Sequence, residues 1–249
     1  MMGETVLGEL SISVSALESE HFGLVVARAN DVTHEAIPEL VDFCEGNDVD
    51  LVIARCDGRD LAAARGLVGV GMIRLEAQIS YEGDLHRLPQ AEVVREGTEG
   101  DAEAIAEVAR RGFGDMPSHY HVDPRLPVEA CNEAYVDWAL RGLRREAADA
   151  FFVAELDSRP VGFTMFAGED NQIQSILSTV DPDYRRRGLY SSLLARGMEW
   201  GLSQGLEKIF IVTPCGNIAV QRNQIRLGLR PVASTATFHG WRDRLNPAG

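Results

Sequence analysis

Apolar residues recur at helical spacing in two stretches of the second half of the chain, 101–111 and 128–144, the latter carrying Ala134, Trp138, Leu140 and Leu143 on one stripe. Thr98 or Asp101 stands where the first helix needs a cap, and Pro117 to Pro127 reads as the loop between the two. Extended runs flank them. Ala91 to Arg95 comes before the first helix, while Phe151 to Leu156 and Pro160 to Ala167 lie on either side of Asp157-Ser158-Arg159 and predict a hairpin. Ile173 to Val180 and Lys208 to Val212 predict two more strands, separated by a return to helical spacing over Ser191 to Ser203. A short helix led by Asn217 and an extended run from Pro231 to Phe238 close the series. Strands and helices alternating in this order predict a mixed α/β sheet with helices on both faces.

The first half repeats part of that plan. Leu51 to Arg55 predicts a strand, Leu61 to Leu67 a helix, Gly69 its stop, and the residues up to Tyr81 an extended run; the later counterparts are Ile209 to Val212, the helix up to Leu227, Gly228 and the run to Phe238. This likeness suggests a smaller α/β domain over 1–88, a degenerate half-copy of the fold of 89–249. Strand-helix-strand units recur in most α/β proteins, which explains the likeness equally well. Gly66, Gly69 and Gly71 follow a helix and precede a strand, the reverse of what a dinucleotide-binding turn requires.

A length of 249 residues suits one large or two small domains. The formal charge of −14 argues against a nucleic-acid or anionic-membrane partner, both of which need a basic surface. Cys44, Cys56, Cys131 and Cys215 are scattered, so neither a zinc site nor a disulfide framework is expected. Met1 to Leu10 has no basic segment leading into a long apolar run, and the expectation is a cytoplasmic enzyme.

Against that acidic background, Arg185, Arg186 and Arg187 stand out. They sit between the strand ending at Val180 and the helix beginning near Ser191, and a strand, an Arg/Gly turn and a helix N-terminus together make a phosphate site. Val180-Asp181-Pro182 followed by Arg185-x-x-Gly188-Leu189 resembles the acetyl-CoA signature of the Gcn5-related N-acetyltransferase (GNAT) superfamily. Asn217-Ile218-Ala219-Val220, leading to Arg226-Leu227-Gly228-Leu229, is similar to that superfamily's second signature, and the resemblance covers roughly Ala91 to Trp241. It implies a GNAT fold over 89–249 and acetyl-CoA as co-substrate. Ser178, Thr179 and Val180 would bond the pantetheine and polarise the thioester. Arg185, Arg186, Arg187, Gly188, Leu189, Tyr190 and Ser191 would cradle the diphosphate, and Asn217 would touch the pantetheine arm or serve as a plain helix cap. The first domain has no Arg-rich turn, so it should not bind CoA.

Glu18 to Gly23, Ser118 to Pro124 and Thr237 to Trp241 look like segments of the two-domain, dTDP-fucosamine acetyltransferase-like sugar N-acetyltransferases. The acceptor implied is a small-molecule amine, an amino sugar on a nucleotide. His119 and His121 are the candidate bases, with Asp123 beside them, and His239 either faces the acceptor or is buried against Trp241. His119-x-His121 has a metal-like spacing, but it lacks a third ligand and the chemistry needs no metal. Two departures stand out. Tyr190 replaces a small residue of the turn, and Gln224 occupies the position where the family often has an acidic Tyr, so the departing thiolate is helped by a hydrogen bond or by Tyr190, Ser191 or Ser192. Another small amine (antibiotic, polyamine or amino acid) and a non-catalytic CoA-binding protein stay open as alternatives, and a homodimer stays open as the assembly.

Overall fold

The computed structural model describes residues 10–89, 92–114 and 118–246; Ala91 and Pro117, which open a predicted strand and a predicted loop, lie outside the described residues. In chain order the elements are β1 (Ser11–Val14), α1 (Ala16–Phe22), β2 (Val26–Asn30), α2 (Ile37–Gly46), β3 (Leu51–Asp57), α3 (Leu61–Gly69), β4 (Ile73–Asp84), β5 (Val94–Glu96), α4 (Ala102–Gly114) and α5 (His119–Val122). There follow α6 (Val128–Leu143), β6 (Ala150–Leu156), β7 (Arg159–Glu169), β8 (Gln172–Val180), α7 (Leu189–Ser203), β9 (Lys208–Pro214), α8 (Ile218–Arg226) and β10 (Arg230–Trp241). The class is the mixed α/β fold predicted.

Two compact units interleave along the chain. One takes residues 10–79, 118–126 and 233–246, the other 80–114 and 127–232. A single division after residue 88 does not describe them, because the repeated strand-helix-strand segments exchange their last strands. β10, from the end of the second repeat, pairs antiparallel with β3 from Thr235↔Asp57 to Trp241↔Leu51 in the first unit. The end of β4, from the first repeat, is the neighbour of β9 in the second unit.

In the first unit the strand order is β1-β2-β3-β10-β4, with β2 and β3 parallel. Side chains alternate across a strand, and here the two faces differ sharply. Ala27, Ala29, Val52, Ala54, Cys56, Ala236 and Phe238 pack into a core with Leu40, Val41 and Leu67 of α2 and α3. The opposite face carries Arg28, Arg55, Thr237 and His239.

In the second unit the order β9-β8-β7-β6-β5 starts from a parallel pair and continues antiparallel. Asp157 (φ 50°) and Ser158 (φ 59°) are both left-handed, the geometry that turns β6 into β7 in two residues. Thr98 caps the lead-in to α4 through a reciprocal bond with Asp101, whose carboxyl is held down at about 2, chiefly by the Arg95 guanidinium. Ile105, Val108, Ala139, Phe151, Phe163 and Leu177 form the core between α4, α6 and the sheet. No helix among the described residues is long and apolar enough to cross a membrane.

α4 lies against β8 because Gly112 has no side chain: a Cβ there would stand 2.2 Å from Thr179 Oγ1. Gly112→Ala is therefore expected to lower stability by about 1–3 kcal/mol in urea unfolding. Gly114→Ala, where the added carbon would meet Asn132 Oδ1 at an ordinary 3.4 Å, should be close to neutral. Equal effects of the two substitutions would contradict this account of the packing.

Candidate active site

β8 and β9 begin as partners and then part. Their ladder runs from Gln172↔Lys208 to Ser175↔Ile211 and stops, although β8 continues to Val180 and β9 to Pro214. On its other edge β8 stays paired with β7 up to Val180↔Gly162, with a register shift that leaves Ile176 unpaired. The Asp181 N–H donates to Val161 O at 2.9 Å. Since successive amides point to opposite edges, the Thr179 N–H faces β7, whereas those of Ser178 and Val180 face the gap left by β9. Ser178 Oγ is fixed by Thr164 Oγ1 at 2.6 Å and Ser175 Oγ at 3.2 Å.

The chain leaves β8 through a 3-10 turn capped by Asp181, whose carboxylate accepts from Asp183 N at 3.0 Å. Arg186 (φ 64°) and Gly188 (φ 79°) are both left-handed, and Gly188 stands at the N-cap of α7 with nothing within 4 Å of where a Cβ would be. The glycine is there for its backbone rather than for close packing. The first bond back into the cap is Ser192 N to Gly188 O, so the amides of Leu189, Tyr190 and Ser191 begin the helix without an intrahelical acceptor. No acidic residue occupies the first turn. Arg186 and Arg187 are exposed, with Arg187 5.2 Å above the Tyr184 ring. Arg185 plays a different part from the diphosphate ligand expected: its Nε donates to Val180 O at 3.2 Å and its Nη2 to Gly112 O at 3.1 Å, clamping the turn to β8 and α4.

Asn217 Oδ1 accepts from Val220 N at 3.3 Å and caps α8. One turn on, Ser191 Oγ donates to Asn223 Oδ1 at 2.5 Å, tying α7 to α8. Gln224 is 0% exposed, yet neither Nε2 nor Oε1 has a hydrogen-bond partner, and Asn223 Nδ2 is likewise buried and unpaired. Burial pushes the Tyr190 phenol up to about 12, offset only in part by the Gln224 amide beside it. The Tyr190 ring is half-buried, with its hydroxyl end in the interior. Buried amide atoms without partners, an unpaired helix N-terminus and strand amides facing a gap fit an extended ligand carrying a diphosphate and amide groups, as acetyl-CoA does.

The expected bases behave differently. His119 and His121 belong to α5, in the first unit. His119 is 4% exposed, with Nδ1 2.9 Å from His239 Nε2 and Nε2 3.5 Å from Arg55 Nη2. His239 Nδ1 lies 2.7 Å from Asp123 Oδ2, which also accepts from Trp241 Nε1 at 2.9 Å. These partners fit one order of protons, in which His239 gives Nδ1–H to the carboxylate and a neutral His119 gives Nδ1–H to His239. Burial, with His239 and the nearby arginines, holds His119 well below its ordinary 6.5. A locked, sealed imidazole does not suit a base that must meet an amine. Burial raises the Asp123 carboxyl, but the bonds from His239, Arg125 N–H and Trp241 outweigh it, and the net shift is downward. His121 is half-buried, with Nδ1 3.1 Å from Ser118 Oγ.

Glu18 accepts from Tyr120 Oη at 2.8 Å and from Arg28 Nε at 2.5 Å, so all three segments of the predicted sugar-enzyme likeness meet in the first unit. Arg28 and Arg55 were missed in the sequence reading, although a cation at alternate positions of otherwise apolar strands marks a polar sheet face. Among the described residues, no three His, Cys, Asp or Glu are grouped to hold a metal ion.

Residues 114–223 match the model of the acetyltransferase (GNAT) family. The spore coat polysaccharide biosynthesis protein SpsD of Bacillus subtilis strain 168 is 25% identical over 205 residues, which cover 78% of this chain and 68% of that protein. In fold, the chain is similar to a GCN5-related N-acetyltransferase from Sphaerobacter thermophilus, with a TM-score of 0.62 and 14% identity over 93% of this chain and 76% of that one. It is also similar to a tandem GNAT protein from the clavulanic acid biosynthesis pathway, with a TM-score of 0.57 and 12% identity over 88% of this chain and 76% of that one.

Because the His119 pKa is lowered on folding, its contribution is complete above about 6.5 and is lost as the pH falls below that. The Asp123 shift acts in the same sense at lower pH. Urea midpoints measured from pH 8 to pH 5 should fall on the acid side, and His119→Asn should flatten the decline. An identical slope in the variant would remove His119 as its cause.

Proposed function

We propose that the chain, whose residues 114–223 match the acetyltransferase (GNAT) family model, is a GNAT-type N-acyltransferase that moves the acetyl group of acetyl-CoA onto the primary amine of a nucleotide-linked amino sugar. The observation that carries the acetyl-CoA part is the parting of β8 from β9 next to a left-handed Arg186-Arg187-Gly188 turn. Amides for the thioester and amides for the diphosphate are thus supplied by one continuous segment. The amino-sugar part rests on less: the likeness to a polysaccharide biosynthesis protein, and the meeting of Glu18, Tyr120, Asp123, His239 and Trp241 in one unit.

The chemistry follows from the residues. The amine nitrogen attacks the thioester carbonyl carbon and the C–N bond forms; the oxygen takes up negative charge, which the Ser178 and Val180 amides stabilise. The C–S bond then breaks and the thiolate leaves with the electron pair, while the amine proton passes to water or to a base. Of the two histidines, only His121 is not shut into the interior. No proton-transferring acid is assigned to the thiolate. A phenol at about 12 is a weaker acid than a thiol at about 8.5, so proton transfer from Tyr190 to sulfur is uphill by roughly 5 kcal/mol. Tyr190 and Gln224 act instead as hydrogen-bond donors, and the thiolate is protonated later by solvent.

Two outcomes are expected. In calorimetric titration Arg186→Glu should weaken acetyl-CoA binding roughly 10- to 100-fold, the loss of one charge-assisted bond. Undiminished binding in that variant would displace the diphosphate from this turn. With thiol release as the assay and dTDP- and UDP-linked amino sugars as acceptors, Tyr190→Phe should lower kcat about tenfold with KM little changed. The wild-type profile should show no falling alkaline limb between pH 8 and pH 10; such a limb, lost in Tyr190→Phe, would restore Tyr190 as a true acid.

A further inference from the structure

We propose that the polar face of the first unit's sheet binds an oxyanion, the phosphate or carboxylate of a small molecule, through Arg55 and Thr237. The proposal does not depend on the acyl-transfer reading, and neither Arg55 nor Thr237 is a residue that reading uses, although Arg55 adjoins its histidine network through His119.

Arg55 is a cation on a strand whose other face is solid core. Its neighbours in β3, Ala54 and Cys56, are 0% and 1% exposed, and the guanidinium is held on the opposite face. Of its five N–H donors, two meet an acceptor, and both contacts are long: Asn30 Oδ1 at 3.4 Å and His119 Nε2 at 3.5 Å. Among the described residues, no carboxylate forms an ion pair with it. Glu18, which is deeply buried, is bound by Arg28 and by the Tyr120 hydroxyl. Glu76 on β4 lies near enough for its charge to be felt but is bonded to Gln78 Nε2 at 2.8 Å. Burial and the like charge of Arg28 lower the Arg55 pKa by more than Tyr120, Glu76 and Glu18 together raise it.

The second observation is independent. Thr237 stands directly opposite Arg55 in the β10–β3 register, so both side chains leave the same face. It is 0% exposed, and its Oγ1 has no hydrogen-bond partner. A buried orphan hydroxyl beside an under-bonded guanidinium is costly to maintain unless a shared acceptor serves both. A tetrahedral phosphate or a planar carboxylate has the two or three oxygens needed, and the arginine fork suits either. The face is not sealed, since the Arg28 side chain is 32% exposed and Asn30, Arg55 and Glu76 are half-buried.

The test uses the full chain and its melting temperature at matched ionic strength with millimolar inorganic phosphate, uridine diphosphate or glucuronate. At least one should raise the wild-type midpoint by several degrees and should do the same in Arg186→Glu, whose diphosphate turn is disabled. Arg55→Met should lose the shift while melting close to wild type without ligand, because removing a desolvated cation offsets the loss of its long contact to the buried His119 Nε2. Thr237→Val, which deletes a hydroxyl bonded to nothing, should fold normally and reduce the shift at least by half. Should Arg55→Met fail to fold, Arg55→Lys keeps the charge without the fork and should bind about tenfold more weakly. Response to phosphate and diphosphate alone identifies a phosphorylated ligand, and response to glucuronate alone a sugar acid. The proposal is overturned if no probe exceeds a chloride control, if Arg55→Met responds as wild type does, or if the shift is lost in Arg186→Glu.

Discussion

The second unit depends on one break in a hydrogen-bond ladder. A strand inside a sheet must satisfy every amide, and β8 does so on both edges only as far as Ser175. Beyond that point β9 is gone and β7 alone remains, so half of the amides from 176 to 180 need acceptors from elsewhere. The bulge at Ile176 sets which ones they are. The separation persists because the end of β8 is held from behind. Gly112 brings α4 onto Thr179, and Arg185 bonds the carbonyls of both Val180 and Gly112. The left-handed turn and the start of α7 inherit their positions from that clamp. Arg185 thus matters as much as its exposed neighbours, through its bonds to two backbone carbonyls.

What sequence could reveal followed the range of the interactions involved. The hairpin at Asp157-Ser158, the capped start of α4 and the turn before α7 are fixed by residues a few positions apart, and all three were legible. The strand exchange was not, because it pairs Trp241 with Leu51 and no local pattern records that. His119 was misjudged for the same reason. In sequence it is half of a polar His-x-His loop; in the fold its partners His239 and Arg55 come from distant strands and leave it neutral and enclosed. Gln224 and Tyr190 were each visible as departures from the family pattern. That they sit side by side, one from α8 and one from α7, required the structure.

The histidine chain in the first unit shows how neutral polar groups are kept inside a protein. Asp123 anchors one end, and each imidazole donates with one nitrogen and accepts with the other, so one carboxylate orders two rings and an indole. A proton added to His119 would go to Nε2, which faces the Arg55 guanidinium. Burial and that cation both disfavour the charged form of His119, and α5 is held to β10 through the His119–His239 bond.

The exchanged strands also bear on how the protein is made. β3 emerges from the ribosome with one edge unpaired, and the strand that covers it, residues 235–241 of β10, is synthesised much later. Until then the first unit carries an open edge flanked by the apolar residues Val52, Ala54 and Cys56, the kind of surface that recruits a strand from another chain. Keeping that edge from a foreign strand therefore depends on how soon the chain's own β10 reaches it.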